Sequence, residues 1–184
     1  MSWSADGRFV FLHQLGSSVA IEAIDVTNAK PQEEPKFMTL ASNPGGILPK
    51  ISPDGKWFAY LSRESGRAEI YVRPFDPSSA NPSAGGKWMI SKGGSAAAPP
   101  MWRGDGREII YKAPDGAIMS VPVTTRPTFQ ADEPKPLFKA PPAVAFFEVT
   151  PDGQRFLMPV PVSAGAGAAP PYKVVLNWTS MLKR

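Results

Sequence analysis

The chain has no cysteine and one histidine, His13. The first absence removes disulfides, thiolate nucleophiles and cysteine-based zinc sites. The second leaves too few imidazoles for a transition-metal centre. Long hydrophobic runs are also missing. A membrane helix needs roughly 20 mainly apolar residues, and the longest uncharged stretch, residues 156–172, is broken by four prolines. No insertion into a membrane is therefore expected. Asp6 and Arg8 interrupt the region where the apolar core of a secretory leader would lie. No segment keeps an amphipathic helical period. Basic charge is not concentrated either: 20 Lys and Arg are scattered among 16 Asp and Glu, for a net charge of +4. A nucleic-acid reader would gather its cations on one face, so no nucleic-acid partner is expected.

What the chain has in quantity is punctuation, with 22 prolines and 16 glycines between short, regularly placed apolar runs. That is the pattern of a many-turned β protein, and 184 residues suit one domain. One motif recurs four times: Trp3-Ser4-Ala5-Asp6-Gly7-Arg8, Ile51-Ser52-Pro53-Asp54-Gly55-Lys56, Trp102-Arg103-Gly104-Asp105-Gly106-Arg107 and Val149-Thr150-Pro151-Asp152-Gly153-Gln154. The aspartates are 48, 51 and 47 residues apart. A period of that size marks repeated supersecondary units that bury their apolar faces against their neighbours. The repeats run over about 1–48, 49–99, 100–147 and 148–184.

Set in register on the Asp, the position three before it is always apolar or aromatic (Trp3, Ile51, Trp102, Val149). The same holds four after it (Val10, Phe58, Ile109, Phe156) and six after it (Leu12, Tyr60, Tyr111, Met158). The position five after is apolar as well (Phe11, Ala59, Ile110, Leu157). A strand apolar on both faces lies between two sheets. Asp-Gly between two such runs signals a hairpin whose tight turn needs positive φ, which both residues tolerate. Asp6, Gly7, Asp54, Gly55, Asp105, Gly106, Asp152 and Gly153 are accordingly structural turn residues; a fifth pair, Asp115-Gly116, lies within the third repeat. Third strands are expected at 21–26, 69–75, 117–123 and 173–178. Fourth strands are expected at 37–40, 87–91 and around Leu137-Phe138, with none in the last repeat. Crossings between repeats are placed at 41–49, 92–100 and 140–145, and a low-complexity loop at 163–171. The expected fold is all-β: a β-propeller of about four antiparallel four-stranded blades, with the central channel's loops as the place for a ligand.

Ser52-Pro53-Asp54-Gly55-Lys56, followed by an apolar strand and Glu69-Ile70-Tyr71-Val72, resembles the repeat of TolB-like propellers. The run continues through Arg73-Pro74-Phe75, Gly86-Lys87-Trp88, Trp102-Arg103-Gly104-Asp105-Gly106, Tyr111-Lys112-Ala113-Pro114-Asp115-Gly116 and Val174-Val175-Leu176-Asn177-Trp178-Thr179. In this order it resembles the C-terminal part of bacterial proteins that join a serine/threonine kinase to such a propeller. The resemblance implies a sensing or interaction domain outside the cytoplasm, in the periplasm or at the cell surface, within a commonly six-bladed ring and a larger protein. Kinase motifs are absent from these residues, with no Gly-rich loop followed by a strand lysine, no His-Arg-Asp and no Asp-Phe-Gly, so no phosphoryl transfer is assigned.

No Gly-x-Ser-x-Gly elbow accompanies His13, and each repeat aspartate stands apart from the clustered oxygens that calcium requires. No catalytic residue, cofactor or metal is expected. Tryptophans 3, 57 and 102 are assigned to core packing. The candidate ligand face is Asn43, Lys50, Arg63, Glu64, Arg67, Arg103 and Lys112. The leading expectation is a non-catalytic protein-interaction or ligand-sensing propeller. The alternatives are the propeller domain of a prolyl oligopeptidase-type serine peptidase and a periplasmic TolB-like scaffold. Open blade edges point to self-association.

Overall fold

The computed structural model describes residues 1–14, 19–27, 29–30, 32–42, 46–142 and 144–159. Among them there is no helix. The first sheet takes β1 (Ser2–Trp3), β2 (Phe9–Gln14), β3 (Ala20–Asp25) and β4 (Phe37–Ser42) in that order. The second repeats the order with β5 (Gly46–Ile51), β6 (Trp57–Ser62), β7 (Glu69–Pro74) and β8 (Trp88–Met89). The third contains β9 (Met101–Trp102), β10 (Glu108–Lys112), β11 (Ala117–Thr124) and β13 (Lys135–Lys139), while β12 (Gln130–Ala131) pairs with the far end of β11. A hairpin of β14 (Glu148–Val149) and β15 (Phe156–Leu157) opens the fourth. Each sheet is antiparallel throughout. The expected strands at 173–178 and the loop at 163–171 lie outside the described residues.

Alternation along the second strand of each repeat decides which sheet meets which. In β6, Phe58 and Tyr60 pack with Phe9, Phe11, Ile21 and Leu40 of the first sheet. Ala59 and Leu61, one residue out of phase, pack with Trp102, Ile109, Tyr111 and Val121 of the third. Ile110 turns the other way, toward Val144, Phe147, Val149 and Phe156. Successive strand residues point to opposite faces, so a run apolar in both phases fills two joints at once. Each large side chain buried there contributes about 1.5–3 kcal/mol.

The repeated turn differs from the tight turn expected. Gly7, Gly55, Gly106 and Gly153 have φ of 70, 70, 71 and 74°, but no aspartate among the described residues has positive φ. Each glycine N–H donates to the carbonyl three residues back: Ser4, Ser52, Arg103 and Thr150, at 2.8–3.0 Å. The aspartate therefore sits third in a four-residue β-turn with glycine last, a place type I turns favour for glycine. Its carboxylate accepts the N–H two residues on, at 3.0 Å from Arg8 and 3.1 Å from Lys56. It also accepts the hydroxyl two residues back, at 2.5 Å from Ser4 and 2.6 Å from Ser52.

Two further expectations need correction. The first crossing is shorter than 41–49, because β4 extends to Ser42 and β5 begins at Gly46. A Cβ at Gly46 would lie 2.6 Å from Ile21 Cδ1 and 2.7 Å from Tyr60 Cδ2, so lack of a side chain lets the strand start this close to the joint. Trp3 is not core: it is 59% exposed, whereas Trp102 is buried and Trp57 packs with Trp88 and Phe129.

Candidate functional site

The antiparallel order sends alternate connections to opposite ends of the blades. At one end lie the Asp-Gly turns, where Gly104 N–H donates to Pro151 O at 2.8 Å and links the third and fourth repeats. A shallow cleft there is lined by Ser52, Asp54, Asp105 and Thr125. At the other end lie the β6–β7 and β10–β11 connections, together with the crossing from the second sheet to the third. The Ser95 N–H of that crossing donates to Ala68 O at 2.7 Å, and its Ala96 N–H donates to Lys112 O at 2.8 Å.

The seven candidate ligand-face residues do not gather at one end. Arg63, Glu64, Arg67 and Lys112 lie at the crossing end. Arg103 lies in an Asp-Gly turn at the opposite end, where it replaces the hydroxyl of the other repeats. Its Nε donates to Asp105 Oδ1 at 3.0 Å and its Nη1 to the Glu108 carboxylate. The bond from Arg103 holds the Asp105 carboxyl below the usual carboxylate range. Lys50, next to last in β5, is near the same end; its Nζ is 3.7 Å from Glu148 Oε1, and its carbonyl accepts Trp102 Nε1–H at 3.0 Å. Asn43 lies outside the described residues. Register on the Asp could have shown the misplacement of Arg103, since the turn in every repeat falls between the same two strands.

At the crossing end the four charges play different parts. Arg67 Nε is 2.5 Å from Oε1 of Glu69, a fully buried carboxylate whose Oε2 accepts the Ser91 hydroxyl. Glu64 is paired with Lys87 at 2.7 Å, and Lys87 Nζ lies 5.4 Å above the Tyr71 ring. Lys112 Nζ donates to the Val144 carbonyl in the next crossing. Arg63 is exposed, and its guanidinium has no partner among the described residues. Sequence reasoning missed Lys87, Glu69 and Ser91: buried Glu69 has a signal in the arginine two residues before it, whereas Lys87, 23 residues from Glu64, has none. Among the described residues, no three His, Asp or Glu side chains converge as metal ligands. His13 is part-buried and accepts the Leu48 N–H at 3.4 Å.

TolB from Acinetobacter baumannii superposes with a TM-score of 0.60 at 15% identity, over 89% of this chain and 38% of that one. The fold is a TolB-like propeller. A protein assigned as TolB from Agrobacterium tumefaciens gives a TM-score of 0.55 at 19% identity, over 86% of this propeller chain and 58% of that protein. One assigned as a 6-phosphogluconolactonase from Bacteroides fragilis gives 0.55 at 15% identity, over 84% and 45%. The propeller thus spans less than two thirds of the length of each of these proteins. No protein-family model and no curated protein matches the sequence.

Proposed function

We propose that this propeller is a non-catalytic binding module whose ligand-facing end is the crossing end, with Arg63 as its exposed, uncommitted cation. The carrying observation is the division of charge there. Arg67, Lys87 and Lys112 are each engaged by a carboxylate or carbonyl, whereas the Arg63 guanidinium is left free to meet a ligand. An acidic group on a protein or small molecule fits a guanidinium so presented. The resemblance to kinase-linked propellers supports an extracytoplasmic sensor in a larger bacterial signalling protein as the setting.

A photo-crosslinking residue placed at Arg63, in the protein expressed in its source cells, should capture a partner. The same residue at Lys56, beside an Asp-Gly turn, should not. Equal capture from both ends, or none from position 63, would overturn the assignment of the face. Likeness in fold to a protein assigned as a 6-phosphogluconolactonase makes one enzymatic reading specific enough to test. Hydrolysis of that lactone above its spontaneous rate would overturn the non-catalytic reading.

A further inference from the structure

Among the described residues Leu48 is the one non-glycine with positive φ, at 57°. A side chain in that left-handed conformation crowds its own backbone, and the conformation persists only where its surroundings hold it. In β5, Ile47 pairs with Leu61 and Lys50 with Ala59, so Leu48 and Pro49 together oppose Tyr60 in a β-bulge. From the bulge the Leu48 N–H reaches across to the first sheet and donates to His13 Nδ1 of β2 at 3.4 Å. An Nδ1 that accepts belongs to a neutral ring carrying its hydrogen on Nε2. A proton taken from solvent onto Nδ1 sets donor against donor, and the hydrogen bond breaks.

The segment held by the bulge is short and leads to the crossing end. Before the bulge, Gly46 and Ile47 are the residues of β5 in register with β6, opposite Ser62 and Leu61. Gly46 is wedged in the joint, where a Cβ would meet Ile21 Cδ1 at 2.6 Å, and Ile21 is the cross-strand partner of His13. Ser62 in turn precedes Arg63, the exposed guanidinium of the crossing end.

We propose that His13 and Leu48 form a proton-operated latch: the neutral ring holds Leu48 left-handed, and protonation releases it and loosens the start of β5 beside Arg63, weakening ligand capture there. A loosened support must be ordered again when a ligand binds, which lowers affinity. The effect on capture rests on the crossing end being the ligand face; the latch itself does not. Burial, and after it the amino group ahead of β1, resist the proton, so release falls below pH 6.5. β1, β3 and β5 pack against β2. Of their charged groups, Glu22 opposes Leu12 and so lies on the other face of the sheet, Asp25 opposes Phe9 at the far end of the ladder and binds Arg8, and Lys50 lies beside Glu148. No carboxylate of β1, β3 or β5 is thus set to stabilise the imidazolium.

Amide exchange, read residue by residue by NMR at about pH 7.5 and about pH 5.5 and divided by the intrinsic rate at each pH, tests the latch. In the wild-type chain Gly46, Leu48 and Ser62 should lose protection by up to about ten-fold per pH unit below the His13 pKa, the slope one proton allows. Amides of β10 and β11 should not change. His13→Gln offers an amide oxygen in place of Nδ1 and does not titrate, so its protection should be equal at both pH values. Leu48→Gly takes positive φ without strain, so the start of β5 should stay protected at the lower pH although His13 still titrates. Crosslinking from position 63 should capture less partner at the lower pH in the wild type and equal amounts in His13→Gln. Equal wild-type protection at both pH values, a pH-dependent loss that persists in His13→Gln, or a Leu48→Gly chain that opens as the wild type does would each overturn the latch. Exchange that switches while capture does not would keep the latch and overturn its hold on the ligand. No capture at either pH would overturn the ligand face alone, with the latch still decided by exchange.

Discussion

Arg67 Nε sits 2.5 Å from Oε1 of Glu69, an exposed guanidinium closing over a carboxylate with no solvent exposure of its own. Ser91 completes the arrangement, giving its hydroxyl to the Glu69 carboxylate while its oxygen accepts the Ile70 N–H at 2.8 Å. Removing one member of such a set leaves a buried charge short of a partner, which costs more than the pair contributes in net terms.

Arg67→Ala should therefore lower unfolding free energy by about 2 kcal/mol, read as a lower urea midpoint. Adding Glu69→Gln, which removes the buried charge, should restore most of the loss. No loss in the single variant would mean that water, not Arg67, satisfies Glu69. Arg63→Ala should leave stability within about 0.5 kcal/mol of wild type, so only Arg63 can be altered as a clean probe of ligand binding.

The repeat was legible because two of its physical requirements are written in residue types. Gly7, Gly55, Gly106 and Gly153 hold positive φ that other residues resist, and the strands after Gly55 and Gly106 are apolar in both phases because each fills two joints. The role of the aspartate was legible only in part: its carboxylate binds backbone and hydroxyl groups, while glycine alone takes the unusual φ. The candidate face was harder to read. Arg103 and Arg63 look alike as loop arginines, and only strand direction separates their ends. Trp3 reads as core from its register, yet burial needs a neighbouring sheet as well as an apolar side chain.

Two glycines of the turns test different physics. Gly55 has φ +70°, and a Cβ added there would meet nothing within 4 Å. Gly55→Ala should thus cost about 1 kcal/mol, from backbone strain alone. At Gly104 a Cβ would meet Pro151 Cβ at 2.7 Å and its carbonyl oxygen at 2.9 Å, and backbone cannot yield as a flexible side chain does. Gly104→Ala should cost about 2 kcal/mol and strain the Gly104 N–H···O Pro151 bond. Hydrogen exchange should then quicken in the 148–157 hairpin, whereas Gly55→Ala should leave that hairpin unchanged. Equal exchange in both variants would show that the contact does not hold the hairpin.

His13 supplies a pH-dependent element. Burial, reinforced by the positively charged chain terminus, holds its pKa below the ordinary 6.5. The neutral ring also accepts the Leu48 N–H through Nδ1, a bond the protonated ring cannot accept. In the unfolded chain the histidine takes up its proton near pH 6.5, whereas the folded chain resists protonation to lower pH. The unfolded state then binds more protons, so stability falls as pH drops. His13 thus contributes its full stabilisation above pH 6.5 and loses it progressively between 6.5 and its depressed folded value. The Tm should show a small drop from about pH 7.5 to about pH 5.5, and His13→Gln, which does not titrate, should flatten the profile across that window. An unchanged slope in the variant would show that His13 does not cause the pH dependence in this window, because the loss linked to Asp25, which Arg8 holds at a pKa of about 2, centres well below it.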